Sequence, residues 1–176
     1  MENRTDLIGQ RGITEIEVKM GSLHVTDSSN AMLTTFVGSC IALCIHDPVK
    51  KIGGLAHIML PDSQGKSPPE HDYQAKYGDH ALNILIDEMI GRGANLTRVA
   101  SKIAGGARMF SNENKREDVF FDIGQRNLQQ IKLLLESRKI PVLGQDVGSA
   151  QGRWVRLDVN TGQVIVRKKG SKDIIL

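Results

Sequence analysis

Hydrophobic and polar positions along the chain fall into short, differently paced runs. Residues 13–25 alternate, with Ile13, Ile16 and Val18, then Leu23 and Val25 apolar, which predicts small strands on either side of Gly21-Ser22. Asp27-Ser28-Ser29-Asn30 is a turn cluster. Two dense apolar blocks follow, Met32 to Ile45 (broken by Gly38-Ser39) and Ile52 to Leu60. The polar link His46-Asp47-Pro48-Val49-Lys50-Lys51 between them predicts a hairpin. Residues 61–79 are polar and rich in turn formers (Pro61, Gly65, Pro68, Pro69, Gly78), and so read as a long loop. Leu82, Leu85, Ile86 and Met89 then take helical spacing, with Asp79 as the expected cap and Gly91 or Gly93 as the stop. Val99 to Ala104 predicts a buried strand running into Gly105-Gly106. After the charged stretch Asn112 to Asp118 comes a second amphipathic helix from about Ile123 to Arg138, with Leu128, Ile131 and Leu135 on one face. The end is strand-like: Val142 to Val147, Trp154 to Val159, the turn Asn160-Thr161-Gly162, and Val164 to Lys168.

Two or three helices and about eight strands in mixed order predict an α+β domain rather than a doubly wound sheet. Gly105-Gly106 lies outside any phosphate-binding motif and reads as a close backbone contact. With 176 residues, 40% hydrophobic and 24% charged, the chain is expected to form one globular domain over 1–176, with free ends at about 1–12 and 170–176. No apolar run reaches the length of about 18 residues a membrane helix needs, and the polar start Met1-Glu2-Asn3-Arg4 is unlike a secretory signal. A cytoplasmic protein without membrane insertion is the expectation. The net charge of +3 is gathered toward the C-terminal basic residues, too thinly spread for a nucleic-acid footprint, so no nucleic-acid partner is expected.

Cys40 and Cys44 cannot bridge each other in a strand, where they lie about 13 Å apart. No second pair suggests zinc, and no metal or cofactor is expected. Centring the hairpin turn between Pro48 and Val49 pairs His46 with Lys51, Cys44 with Gly53, and Cys40 with His57. Opposed side chains then lie close enough for a thiol to meet an imidazole. A slip of one residue would separate them onto opposite faces, and a slip of two would leave them diagonal neighbours. A thiolate is a nucleophile, and an adjacent His lowers its pKa and returns the proton to the leaving group. Gly38-Ser39 admits close backbone approach, so nearby N–H groups would serve an oxyanion. The plain alternative is that Cys40 is a small core residue of an apolar run, and the residues by themselves favour that role. For Cys44 core packing is the expected role. His46 is expected at the exposed turn, His71 and His80 at the surface, and His24 as an ordinary strand residue.

Thr34-Thr35-Phe36-Val37-Gly38-Ser39-Cys40, Asp47-Pro48 and Gly53-Gly54-Leu55-Ala56-His57-Ile58-Met59-Leu60-Pro61 together resemble the CheD family, the chemoreceptor glutamine deamidases. Lys76-Tyr77, Asp79-His80-Ala81, Lys102 to Phe110, Ile123-Gly124-Gln125-Arg126-Asn127 and the final hairpin extend the resemblance from about residue 15 to 169. It implies a nucleophile at Cys40, its imidazole at His57, and a third member at Thr34, with Thr35 its immediate neighbour. It also implies a layered sandwich of β-sheet with flanking helices, related to bacterial toxin deamidases. The implied activity is deamidation of specific glutamines of methyl-accepting chemotaxis receptors, and the phosphatase CheC is an implied partner. A related thiol hydrolase acting on receptor methyl esters, and a non-enzymatic module that only binds CheC or receptors, are the alternatives.

Overall fold

The computed structural model describes residues 12–67, 73–108 and 123–176. Ten strands and two helices follow in the order β1 (Thr14–Glu17), β2 (Leu23–Thr26), β3 (Ala31–Val37), β4 (Ile41–Asp47), β5 (Ile52–Ile58), α1 (Gly78–Gly91), β6 (Ala100–Gly105), α2 (Ile123–Ser137), β7 (Val142–Val147), β8 (Arg153–Asp158), β9 (Val164–Lys168) and β10 (Ile174–Ile175). They build two mixed five-stranded sheets, β1-β3-β8-β9-β10 and β2-β5-β4-β6-β7. The α+β class expected from the pattern is the class observed.

Strand periodicity explains the layers. Along β4, Ile41, Leu43 and Ile45 enter one cluster with Leu82, Leu85 and Met89 of α1 and Ile131 and Leu135 of α2. Ala42 and Cys44, pointing the other way, pack with Leu33, Val155, Leu157 and Val166 of the first sheet. The β4 sheet is thus the middle layer, with both helices on one face and the other sheet on the opposite face. Its strands β4 and β5 are buried on both sides and so read as continuous apolar runs. In the outer sheet β8 alternates buried and exposed positions, the pattern of a sheet with one face uncovered.

The hairpin register differs from expectation by two residues. Asp47 pairs with Ile52, Cys44 with Leu55 and Ala42 with His57. The cause is the fully buried Asp47. Its Oδ1 accepts from the backbone N–H of Val49 and Lys50 at 2.9 and 3.1 Å, while Oδ2 accepts from Asn95 N and Arg98 Nη2, both at 2.9 Å. This carboxylate makes Asp47 the last paired residue, so the turn becomes Pro48 to Lys51 and Lys51 takes a positive φ of 53°. His46 consequently lies on the inner face of β4, half-buried, with its Nε2 bonded to Val159 O at 2.9 Å, and not at an exposed turn.

Two further expectations are corrected. Asp79 does not cap α1: its carboxylate accepts from Ser63 N at 3.0 Å and Ser63 Oγ at 2.6 Å, tying the start of the long loop to the first helical turn. The final residues do not hang free, because Ile174 and Ile175 pair with Val166 and Ile165 of β9. Lys102 Nζ donates to Leu176 O at 2.7 Å, which anchors that last strand from the middle layer. Residues 1–11, His71 and the charged stretch 112–118 lie outside the described residues.

Candidate active site

Cys40 stands where the chain crosses between the sheets. Strand β3 belongs to the outer sheet and β4 to the middle one, and Gly38-Ser39-Cys40 makes the crossing. All three carbonyls of that link are held: Gly38 O by Ala107 N at 2.8 Å, Cys40 O by Gly106 N at 2.9 Å, and Ser39 O by Asn127 Nδ2 at 3.2 Å. The approach of Gly105 is so close that a Cβ there would sit 2.2 Å from Cys40 O, at a φ of +117°. The Gly105-Gly106 pair is therefore a backbone contact, and what it fixes is the cysteine. With the carbonyls engaged on one side, the N–H groups of Ser39 and Cys40 have no backbone acceptor among the described residues.

His57 lies on the same face as Cys40, diagonal to it across the β4–β5 ladder. Thr35, Cys40 and His57 line one open cleft of about 420 Å³ between Lys19-Met20 and the crossing link. Thr35 Oγ1 is 2.8 Å from Val18 O and 2.8 Å from His57 Nδ1. A carbonyl can only accept, so the single hydroxyl proton goes to Val18. Toward His57 the hydroxyl can then only accept, which places the ring proton on Nδ1. Nε2 is left as a bare lone pair.

Burial sets the charge state of both groups. It pushes His57 down from 6.5 to about 4 and raises the Cys40 thiol above 9.0, against a smaller opposing effect of its own backbone N–H. The resting site is a neutral thiol beside a neutral base. The expectation that the imidazole lowers the thiol's pKa is therefore not met.

Thr34 and Thr35 are separated by strand alternation. Leu33, Thr35 and Val37 point into the core, whereas Thr34 faces the uncovered side of the outer sheet beside Arg156 and Ile165. The imidazole is met by Thr35, not by the Thr34 to which the resemblance pointed. Cys44 is fully buried and its thiol is pushed up to about 12 by burial, with Lys102 opposing, as expected of a core residue. His80 lies against Tyr77 and Asp79 at the start of α1 and is not among the residues that line the cleft. Among the described residues no group of three or more His, Cys, Asp or Glu is arranged to hold a metal, and no helix is long and apolar enough to cross a membrane.

One site residue was not singled out by the pattern. Asn127 is fully buried on α2, and its Nδ2 donates both to Ser39 O at 3.2 Å and to Met59 O at 2.9 Å. It ties the cysteine link to the chain just beyond His57. The available signal was an amide one turn before Ile131 on the apolar face of the helix.

The fold and cleft define a layered α+β protein with a thiol–imidazole site. Residues 59–168 match the family described as CheD chemotactic sensory transduction. The chain is 43% identical over 152 residues to the probable chemoreceptor glutamine deamidase CheD of Desulfitobacterium hafniense, covering 86% of this chain and 92% of that one. It is 40% identical to its counterpart from Clostridium acetobutylicum (92% and 95% covered). Against the chemoreceptor glutamine deamidase CheD of Thermotoga maritima it is 38% identical, with 87% and 91% covered. The chain belongs to the CheD family. Among solved structures, the Bacillus licheniformis hypothetical protein YfiH aligns with 79% of this chain and 61% of its own at 14% identity and a TM-score of 0.44, too slight a likeness to bear on function.

Proposed function

We propose that this protein deamidates glutamine side chains of chemotaxis receptors, with Cys40 as nucleophile, His57 as general base and then acid, and Thr35 positioning the imidazole. The observation that carries the reading is the Thr35 hydroxyl, which donates to Val18 and accepts from His57 and so leaves Nε2 unprotonated in the cleft that holds Cys40. As sulfur attacks the carboxamide carbon, its proton passes to Nε2. The oxyanion that forms is met by the N–H groups of Cys40 and Ser39. His57 gives the proton to the departing nitrogen, ammonia leaves, and a thioester remains on Cys40. Water, deprotonated by the same Nε2, adds to the thioester; collapse expels the thiol and yields glutamate.

The product carries a new negative charge and a carboxylate that can be esterified. On a receptor coiled coil such a charge alters helix pairing. A cytoplasmic setting, CheC as a partner and kinship to toxin deamidases belong to this same proposal. The test is release of ammonia from a receptor cytoplasmic fragment, set against release of methanol from the methylated fragment. Ammonia release lost in Cys40→Ala and His57→Ala supports the deamidase. Methanol alone would make the protein an esterase, and neither product from folded protein would make it a binding module.

A further inference from the structure

Outside the catalytic cleft, the outer face of the β1-β3-β8-β9-β10 sheet is left uncovered among the described residues. Phe36 and Trp154 are direct cross-strand partners on β3 and β8, and both side chains point away from the core. Their ring centroids are 4.9 Å apart, yet Phe36 is 48% and Trp154 57% exposed. An aromatic pair left to water on an uncovered sheet face is what an interaction surface carries. The tip of the Phe36 ring packs over Gly152, where a Cβ would lie 2.5 Å from it. A groove of about 610 Å³ runs beside it, bordered by Gly152, Trp154, Arg167, Lys168 and Lys169.

Two observations identify the occupant. Phe36 lines both this groove and the Cys40 cleft, so the surface continues the place where a target glutamine must be presented. The groove's flank is cationic, and the cleft beside it carries one residue of each sign, Lys19 and Glu17. Arg167 is tied to Asp173 and Lys168 to Asp146, but Lys169 beside the groove and Lys19 at the cleft have no anionic partner among the described residues.

We infer that the Phe36–Trp154 face is the docking surface for the substrate protein, taking an amphipathic helical segment next to the target glutamine, with apolar side chains on the aromatic pair and acidic ones toward Lys19 and Lys169. This inference rests on the deamidase reading above. Four residues of extended chain separate Phe36 from Cys40, at most about 13 Å. On a helix rising 1.5 Å per residue, the apolar contact therefore falls within about nine residues of the glutamine, two to three turns away.

Trp154 is the single tryptophan of the chain, so the surface reports on itself. The probes are a tryptophan-free cytoplasmic fragment of a chemoreceptor and a pentapeptide with a central glutamine, too short to reach the aromatic pair. The expected results are a saturable blue shift of Trp154 emission when the fragment is added to Cys40→Ala, and a KM for the fragment at least about tenfold higher in Trp154→Ala with kcat within about twofold. Turnover of the pentapeptide should be unchanged in Trp154→Ala, which also shows that the variant is folded. Lys169→Glu should raise KM in low salt and lose that effect in high salt. An unchanged KM in Trp154→Ala, with wild type active on the fragment, overturns the inference and leaves the deamidase standing. No turnover of the fragment by wild type overturns the deamidase reading and this inference with it. An emission shift that follows protein concentration without fragment assigns the face to a second copy of the chain and also overturns the inference.

Discussion

Replacing Thr35 by valine, with Thr34→Val as its counterpart one residue away, tests the geometry of the imidazole. Valine keeps the shape of threonine and removes only the hydroxyl that His57 Nδ1 meets at 2.8 Å. Thr35 is 3% exposed and His57 5%, so water does not replace the lost acceptor. A buried N–H left unpaired costs about 1–3 kcal/mol. The ring escapes that cost by turning or by moving its proton to Nε2, and either change withdraws the base from Cys40. If the whole cost is felt in the transition state, kcat falls about 5- to 150-fold, with KM held, because Thr35 does not reach the substrate-docking face. Thr35→Ser, which restores the hydroxyl, should recover most of the rate. Thr34→Val, on the uncovered face, should leave kcat within about twofold, since surface substitutions of this kind stay within about 0.5 kcal/mol. The assay is steady-state ammonia release from a receptor fragment, with circular dichroism to show that each variant is folded. Wild-type kcat in folded Thr35→Val, or an equal loss in Thr34→Val, would show that the Thr35 hydroxyl does not set the imidazole.

Three other outcomes follow from the same structure. His57 sits at about 4 against an ordinary 6.5, so the unfolded chain binds the extra proton; its contribution is full above pH 6.5 and fades as pH falls toward 4, by about 3 kcal/mol in all. Urea unfolding from pH 7 to 4.5 should therefore show a shallower pH dependence in His57→Gln than in wild type. An identical dependence would contradict the burial of a neutral ring. Half-buried His46 titrates low too and contributes to both proteins equally, while Asp47, held down against its own burial by Arg98 and three backbone N–H groups, acts only at lower pH. Because burial raises the Cys40 thiol, its alkylation by iodoacetamide should rise about tenfold per pH unit through pH 9; a plateau at neutral pH would reveal a resting thiolate. Asn127→Leu, which strips Ser39 O and Met59 O of their donor, should destabilise the fold by about 2–4 kcal/mol, read by urea denaturation, and an unchanged midpoint would deny Asn127 its tie.

Much of this architecture was legible in the order of residues, for reasons that are local. The stripe Leu82, Leu85, Ile86 and Met89 and the alternation through β8 and β9 obey the periods of helix and half-covered sheet, and these elements stand where the pattern predicts. Cys40 and His57 share a face because a two-residue slip preserves the side of a strand. What failed was set at longer range. The hairpin register is decided by Asp47, whose carboxylate accepts from Val49 and Lys50 in the turn but is held buried by Asn95 and Arg98, partners far along the chain that no turn rule includes. The choice between Thr34 and Thr35 depends on which face of β3 meets the core, and that follows from the pairing of β3 with β8 rather than from the two identical letters. Asn127 stood in the sequence only as part of a motif, because an amide on an apolar stripe reveals its purpose only once the carbonyls beneath it are known.

Whether Cys40 converts receptor glutamine to glutamate is read at the level of single residues by peptide mass spectrometry. A receptor cytoplasmic fragment is incubated with wild-type protein and, in parallel, with Cys40→Ala. A gain of about one mass unit at defined glutamines, the exchange of an amide for an acid, is expected with wild type only. The same gain with Cys40→Ala, or none with folded wild-type protein, would contradict it.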